Sequence, residues 1–284
     1  MTNRNARAKI ARETVEILEQ GNYLSDSNDL VEITPALRKA VINSVLYKPD
    51  MFTAVLEQRD KLFANTPGKQ TTFAVINATT LEVAKELYYR SESPNIACLN
   101  FASAKNPGGG FLGGSQAQEE SLARSSGLYS CLMEKFEMYE YNRHHGSSLY
   151  SNHIIYSPDV PVFRAEDGAL LTEPYFLSFI TAPAVNAGAV QQNEPHKMSQ
   201  INKVMSDRME KILAIAFVHN HDDLILGAWG CGVFKNDPME VAKLFATHLL
   251  KHGAFFNRFN NVVFAVLDRT DKQEIFKAFQ QVFA

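Results

Sequence analysis

Thr71-Thr72-Phe73-Ala74-Val75-Ile76, the segment Thr79 to Leu87, and Ile96-Ala97-Cys98-Leu99-Asn100-Phe101 are the three stretches that decide the fold. The first is rich in β-branched residues and reads as a strand. The second reads as a helix, opened by a Thr79/Glu82 capping box. The third is a short apolar strand. Downstream the alternation continues. A glycine-rich loop leads into a helix over residues 116–133, and further strands are expected at His153–Ser157, Phe176–Thr181, Leu224–Gly227 and Val262–Leu267. Helices are expected over 197–219, 238–251 and 271–282. Strands alternating with helices predict an α/β layered fold with much parallel pairing. In such sheets ligands gather beyond the carboxyl ends of the strands, where the two richest loops of this chain fall.

Upstream, residues 4–20 form an amphipathic helix pattern, with Ile10, Val15, Ile17 and Leu18 in its apolar stripe and Gly21 as its stop. Residues 35–66 read as one or two more helices broken near Pro49. The expected organisation is an N-terminal helical extension over 1–68, packed on a main domain over 69–284, the whole forming one compact unit.

Composition bounds the function. The chain has 284 residues, 45% hydrophobic and 21% charged, as in ordinary globular enzymes. A net charge of −3 gives no general nucleic-acid footprint, so an anionic ligand needs a local device such as backbone amides. Three widely spaced cysteines, Cys98, Cys131 and Cys231, suggest neither a disulfide framework nor zinc. No signal-type apolar stretch and no run of 18 apolar residues occurs, so no membrane span is expected. A cytoplasmic protein is the expectation, and a secreted effector without a cleavable signal would look the same. A monomer is expected.

The first rich loop runs from Asn106 through Gly108-Gly109-Gly110 and Gly113-Gly114 to Gln118-Glu119-Glu120. Such glycines permit positive φ and can turn amides inward as an anion nest. Ser115 and Gln118 have capping-box spacing, which places Glu119 and Glu120 in a first helical turn. Acidic residues there often only complement the helix dipole. Two carboxylates beside a phosphate-compatible loop make a candidate glycosidic site. Gly108, Gly110 and Gly113 also match the dinucleotide GxGxxG, which opens a nicotinamide-dependent oxidoreductase as a rival. The match fits poorly, because the strand ends near Phe101, several residues too early, and no second strand ends in an acid about 20 residues later.

The second loop reads Gly227-Ala228-Trp229-Gly230-Cys231-Gly232-Val233-Phe234-Lys235-Asn236-Asp237. It follows a strand, and Asp237, Pro238 and Glu240 suit the N-cap, N1 and N3 of the next helix. A glycine-rich loop in that position is a ready anion site or a plain turn. Trp229 is core or pocket wall. His219-Asn220-His221-Asp222-Asp223 looks like a metal cluster but sits at an expected helix end and turn, so no metal is expected. Cys231 has no neighbouring histidine base, which argues against a nucleophile.

Gly108-Gly109-Gly110, seven residues, then Gln118-Glu119-Glu120 resembles the signature of poly(ADP-ribose) glycohydrolases of the macrodomain superfamily. Leu99 to Ala102, Ser121 to Tyr129, Ile155 to Arg164 and Ala182 to Asn186 resemble their smaller bacterial-type branch. The resemblance implies a macrodomain-like mixed sheet flanked by helices, and cleavage of ribose–ribose O-glycosidic bonds without a cofactor. It implies Glu120 as the acid/base and Glu119 as the group fixing the ribose hydroxyls. Asn106, Gly108, Gly109, Gly110 and Gln118 are the implied binding residues of the first loop. In the second loop Gly230, Cys231, Gly232 and Val233 would wrap the diphosphate, and Phe234 would face the terminal ribose. Larger animal-type relatives carry asparagine where this chain has Lys105, so Asn106 stands one position later. The implied partner is ADP-ribose or an ADP-ribosylated macromolecule. Rival readings are a mono-ADP-ribosyl hydrolase acting on protein or nucleic acid and a reader that binds ADP-ribose without cutting it.

Overall fold

The computed structural model describes residues 3–284. Helix α1 (Arg4–Gln20) starts at Asn3, whose side chain accepts from Ala6 N. It ends at Gly21, which has φ +78 and donates to Ile17 O. A Cβ at Gly21 would lie 1.9 Å from Thr34 Oγ1, so the turn requires glycine. A small hairpin follows, β1 (Asn22–Leu24) with β2 (Leu30–Glu32). Then come α2 (Thr34–Asn43), β3 (Val45–Tyr47) and α3 (Phe52–Asn65). The break near Pro49 therefore contains a strand, and that strand pairs antiparallel with residues 154–156 of the main sheet.

The alternation follows: β4 (Thr72–Ile76), α4 (Thr80–Arg90) and β5 (Ile96–Phe101). The expected capping box of α4 forms, with Glu82 N donating to Thr79 Oγ1 at 3.2 Å and Thr79 N to Glu82 Oε2 at 2.7 Å. The helix expected over 116–133 is two helices, α5 (Gln118–Ser125) and α6 (Leu128–Glu134). Ser126 breaks them: its backbone is extended, it bridges to Val162, and its hydroxyl donates to Leu122 O at 2.7 Å. Next are α7 (Glu137–His144), β6 (Ile154–Arg164) and β7 (Leu170–Ala182), the last two much longer than the sequence signals. The chain closes with α8 (Ala187–Asn193), α9 (Ile201–Val218), β8 (Asp223–Leu226), α10 (Pro238–Leu249), β9 (Asn261–Ala265) and α11 (Glu274–Phe283).

Seven strands form the main sheet in the order β3-β6-β7-β5-β8-β9-β4. The run β7-β5-β8-β9-β4 is parallel throughout, and β6 is antiparallel to both its neighbours. Both faces are covered, so the parallel strands read as unbroken apolar runs. Along β8, Leu224 and Leu226 join a core with residues of α9 and α10, and Ile225 joins the other core with residues of α4 and α6. The carboxyl ends of β7, β5 and β8 lie side by side, and all three lead into loops that build the site.

Candidate active site

Beyond β5 the pairing with β8 stops at Cys98. The side chain of Gln118 takes over: its Oε1 accepts from Phe101 N at 2.9 Å, and its Nε2 donates to Leu99 O at 2.7 Å and to Thr80 Oγ1 at 3.2 Å. This amide fastens the start of α5 to the strand end, so its role is to place the residues that follow rather than to face outward. The expected Ser115/Gln118 capping box is absent. Ala117 occupies the N-cap without a side-chain bond, because the Gln118 amide is engaged on β5 and Ser115 packs against Gly110.

Glu119 and Glu120 emerge from that anchored turn. Glu119 is 3% exposed; its Oε2 accepts from Ser103 N at 2.6 Å and its Oε1 from Asn100 Nδ2 at 3.3 Å. Burial raises its pKa to about 8, the neighbouring Glu120 adds to the rise, and the donors oppose it. Asn100 also donates to Thr181 Oγ1 at 3.1 Å, while its own Oδ1 has no partner among the described residues. Glu120 is half-buried, and its Oε1 accepts from Gly110 N at 3.0 Å.

The triple glycine presses directly on this pair. Gly108 and Gly109 have φ +67 and +60. A Cβ on Gly109 would meet Glu120 Oε1 at 2.5 Å and Glu119 Oε2 at 3.2 Å, so one backbone position touches both carboxyl groups. Asn106 sits at the loop's outer edge, where its Oδ1 accepts from Arg143 Nη2 at 3.4 Å. From behind, α1 clamps the loop: Arg4 Nε donates to Gly113 O and Arg7 Nε to Gly114 O, each at 2.9 Å.

The second loop lies alongside. A Cβ at Gly227 would strike Ala265 O at 2.5 Å and the Phe101 ring at 2.9 Å, so the loop after β8 is held against the end of β5. Trp229 is fully buried and belongs to the core; its indole N–H donates to Ala182 O at 3.0 Å. Asn236 Nδ2 donates to Val185 O at 2.7 Å and to Gly230 O at 3.1 Å, fixing the loop to the end of β7. The Cys231 thiol is buried, and burial pushes it up to about 12. Asp237 caps α10 as expected, accepting from Glu240 N at 2.9 Å. Between these anchors the backbone N–H groups of Gly232, Val233 and Phe234 find no acceptor among the described residues. Val233 is 85% exposed, and a Cβ on Gly232 would meet nothing within 4 Å. Phe234 faces Tyr150 with ring centroids 5.9 Å apart. Successive free amides at an open, glycine-bearing turn are an anion receptor.

A family model described as microbial-type PARG, catalytic domain, matches residues 11–165. The chain belongs to that family. Among solved structures it resembles the poly(ADP-ribose) glycohydrolase of Thermomonospora curvata, 46% identical over 98% of this chain and 100% of that one, with a TM-score of 0.93. The same enzyme bound to the inhibitor ADP-HPD is 44% identical over 98% and 99%, with a TM-score of 0.89. The Deinococcus radiodurans glycohydrolase in complex with ADP-ribose is 40% identical over 87% and 96%, with a TM-score of 0.79. Comparison with curated proteins found no match.

This microbial-type PARG chain carries one support that its sequence pattern hides. Arg208 on α9 is wholly buried and donates to Pro183 O at 2.7 Å, Leu149 O at 3.1 Å, Tyr150 O at 3.3 Å and Asn152 Oδ1 at 3.0 Å. It ties the Tyr150 segment to the end of β7, and burial lowers its pKa to about 9. The His219–Asp223 stretch lies at the opposite end of β8. There His219 bonds the Tyr47 hydroxyl and His221 the Tyr156 hydroxyl, and burial lowers both imidazoles to about 4. Among the described residues no helix is long and apolar enough to cross a membrane, and no three His, Cys, Asp or Glu side chains gather as a metal site.

Proposed function

We propose that this protein hydrolyses the ribose–ribose O-glycosidic bonds of poly(ADP-ribose) and releases ADP-ribose, with Glu120 as acid/base. The observation that carries the reading is the paired carboxyls of Glu119 and Glu120 against the backbone of Gly109, in a chain of the microbial-type PARG family. Two of the similar structures hold ADP-ribose or an inhibitor, which supports an ADP-ribose ligand here. The free amides of Gly232, Val233 and Phe234 suit the diphosphate. Gly108 and Gly109 let the first loop approach from the other side, Cys231 and Gly230 shape the second loop, and Phe234 with Tyr150 supplies an aromatic wall.

Cleavage builds positive charge on the ribose ring as the C–O bond lengthens. Glu119, fixed by Ser103 N and Asn100, orients the ribose hydroxyls. Glu120 gives its proton to the departing oxygen, and its carboxylate then takes a proton from the water that attacks the ring carbon. Both loops act by position, through amides and glycine surfaces, so the reading needs no cofactor.

The test is release of ADP-ribose from labelled poly(ADP-ribose) by the wild type and by Glu120→Gln. Release by the wild type, lost in a variant that still binds ADP-ribose, is the expected result. Binding without release would overturn the polymer reading and favour mono-ADP-ribosylated protein or nucleic acid as substrate, or a reader function. Retention of NAD with a spectral change would favour the oxidoreductase.

A further inference from the structure

Ser121, the residue after Glu120, lines a second cavity of about 450 Å³. Its walls come from α1, α5, the turn between β6 and β7, and the segment after β9. Four arginines face it, Arg7, Arg124, Arg164 and Arg269, against the two acids Glu166 and Asp167. Three of the arginines also serve the fold. Arg7 holds Gly114 O, and Arg124 donates to Ser115 O at 2.7 Å and Gln116 Oε1 at 3.2 Å. Arg164 donates to Gly168 O at 2.9 Å and pairs with Glu13 at 2.9 Å, yet its Nε–H is buried without a partner. Arg269 is exposed and makes no hydrogen bond or ion pair with any described residue. Burial raises the pKa of Glu166, whose carboxylate also accepts from the Ser121 hydroxyl at 3.4 Å. Concave walls with surplus guanidinium donors are the side-chain chemistry that recognises phosphate.

We propose that this cavity receives the phosphates of the ADP-ribose unit on the leaving side of the scissile bond. The inference rests on the glycohydrolase reading. In the polymer the departing oxygen is a ribose hydroxyl, and the unit that carries it has a diphosphate of its own. That oxygen must reach Glu120, while the amides of the second loop are already committed to the first unit's diphosphate. The leaving unit's phosphates therefore need another cationic receiver close to Glu120. Arg124, which lines the cavity, follows Glu120 by four residues on α5, a spacing that puts the two side chains on one face of the helix. Holding the leaving unit there aims its oxygen at the acid. A substrate with a single ADP-ribose makes no use of the cavity.

The experiment compares the affinity of ADP-ribose and of a two-unit oligomer for protein carrying Glu120→Gln, with and without Arg269→Ala or Arg269→Glu. Tm of each variant checks the fold. The oligomer is expected to bind more tightly than ADP-ribose. Arg269→Ala should weaken oligomer binding about fivefold and Arg269→Glu more, with ADP-ribose affinity unchanged. Equal weakening of both ligands, or of neither, overturns the proposal. So does an equal loss of affinity for an unrelated oligonucleotide of the same charge, which would mark general anion attraction. Wild-type protein incubated with the same oligomer separates the two readings: an intact oligomer refutes the glycohydrolase, while the affinity ratio still judges the cavity.

Discussion

Gly109→Ala probes the contact on which the candidate site is built. Gly109 has φ +60, a left-handed conformation that costs an alanine about 1–2 kcal/mol. The new Cβ would lie 2.5 Å from Glu120 Oε1 and 2.9 Å from its Cδ. Glu119, enclosed and held from two sides, has little room to yield. Glu120 is half-buried, so its carboxyl group swings away and the 3.0 Å bond from Gly110 N breaks. A hydrogen bond to a charged group contributes about 1.5–3 kcal/mol, and partial exposure sets the lower end. The combined loss is about 2.5–3.5 kcal/mol.

Two consequences separate in the assay. Tm should fall by about 4–6 °C, as expected for that loss in a protein of this size. Displacing an acid by about 1 Å costs on the order of 100-fold in rate, so kcat for ADP-ribose release should drop by about that factor. Affinity for ADP-ribose, held through the second loop, should change far less. Single-turnover release from labelled polymer, calorimetric titration with ADP-ribose and thermal unfolding measure the three quantities. A variant whose kcat stays within about threefold of the wild type would refute the reasoning, because the glycine would then not govern where Glu120 sits.

Three further outcomes follow from the same geometry. Gly232→Ala places a Cβ in open space, so stability should stay within about 0.5 kcal/mol while ADP-ribose affinity falls; unchanged affinity would mean that the ligand does not approach this turn. Burial lifts Glu119 from 4.5 to about 8, so the folded state holds an extra proton across that window and loses stability as pH rises through it. Glu119→Gln has no proton to lose, and its Tm relative to wild type should climb between pH 4.5 and 8; a flat difference would sink the argument. The buried Cys231 thiol, pushed up to about 12, should resist iodoacetamide at pH 8 in the native protein, and labelling before unfolding, read by mass spectrometry, would contradict that burial.

Much of the frame is legible in the sequence because local chemistry wrote it. The Thr79/Glu82 box, the Asp237-Pro238-Glu240 start of α10 and the Gly21 stop each act within a few residues, and each appears where expected. Buried parallel strands announce themselves as apolar runs. What escaped depends on distant partners. The strands β1, β2 and β3 are three residues each, too short for a period to register. Pro158 and Pro161 hide the length of β6. The first lies in an irregular register between Ser157 and Val160, and Pro161 turns its carbonyl to Gly127 N, away from β7, so its missing N–H falls on the side that β3, paired only with 154–156, does not reach. Ser126 interrupts the expected helix because Val162 offers it a bridge from another strand. Arg208 reads as one more charge on an amphipathic helix until four backbone and side-chain oxygens converge on it.

The glycines of the two loops divide by what a Cβ would strike, and that division argues for which residues serve the ligand. At Gly108, Gly109, Gly114, Gly227 and Gly230 the obstacle is the protein itself, at 2.1 to 2.9 Å. Those glycines let the loops fold tightly onto α1, β5 and the carboxyl pair. At Gly232 no protein atom lies within 4 Å, so internal packing gives no reason for glycine, and the reason must lie in something that approaches from outside. The carboxyl pair divides in the same way. Glu119 accepts bonds at both oxygens from groups fixed in β5 and its loop, which removes its freedom to follow a moving proton. Glu120 has one bond, from Gly110 N, and its Oε2 meets no donor among the described residues. Glu120 therefore keeps an oxygen open to a departing hydroxyl and then to a water, and that asymmetry supports the proposed roles of Glu120 as acid/base and Glu119 as the orienting group.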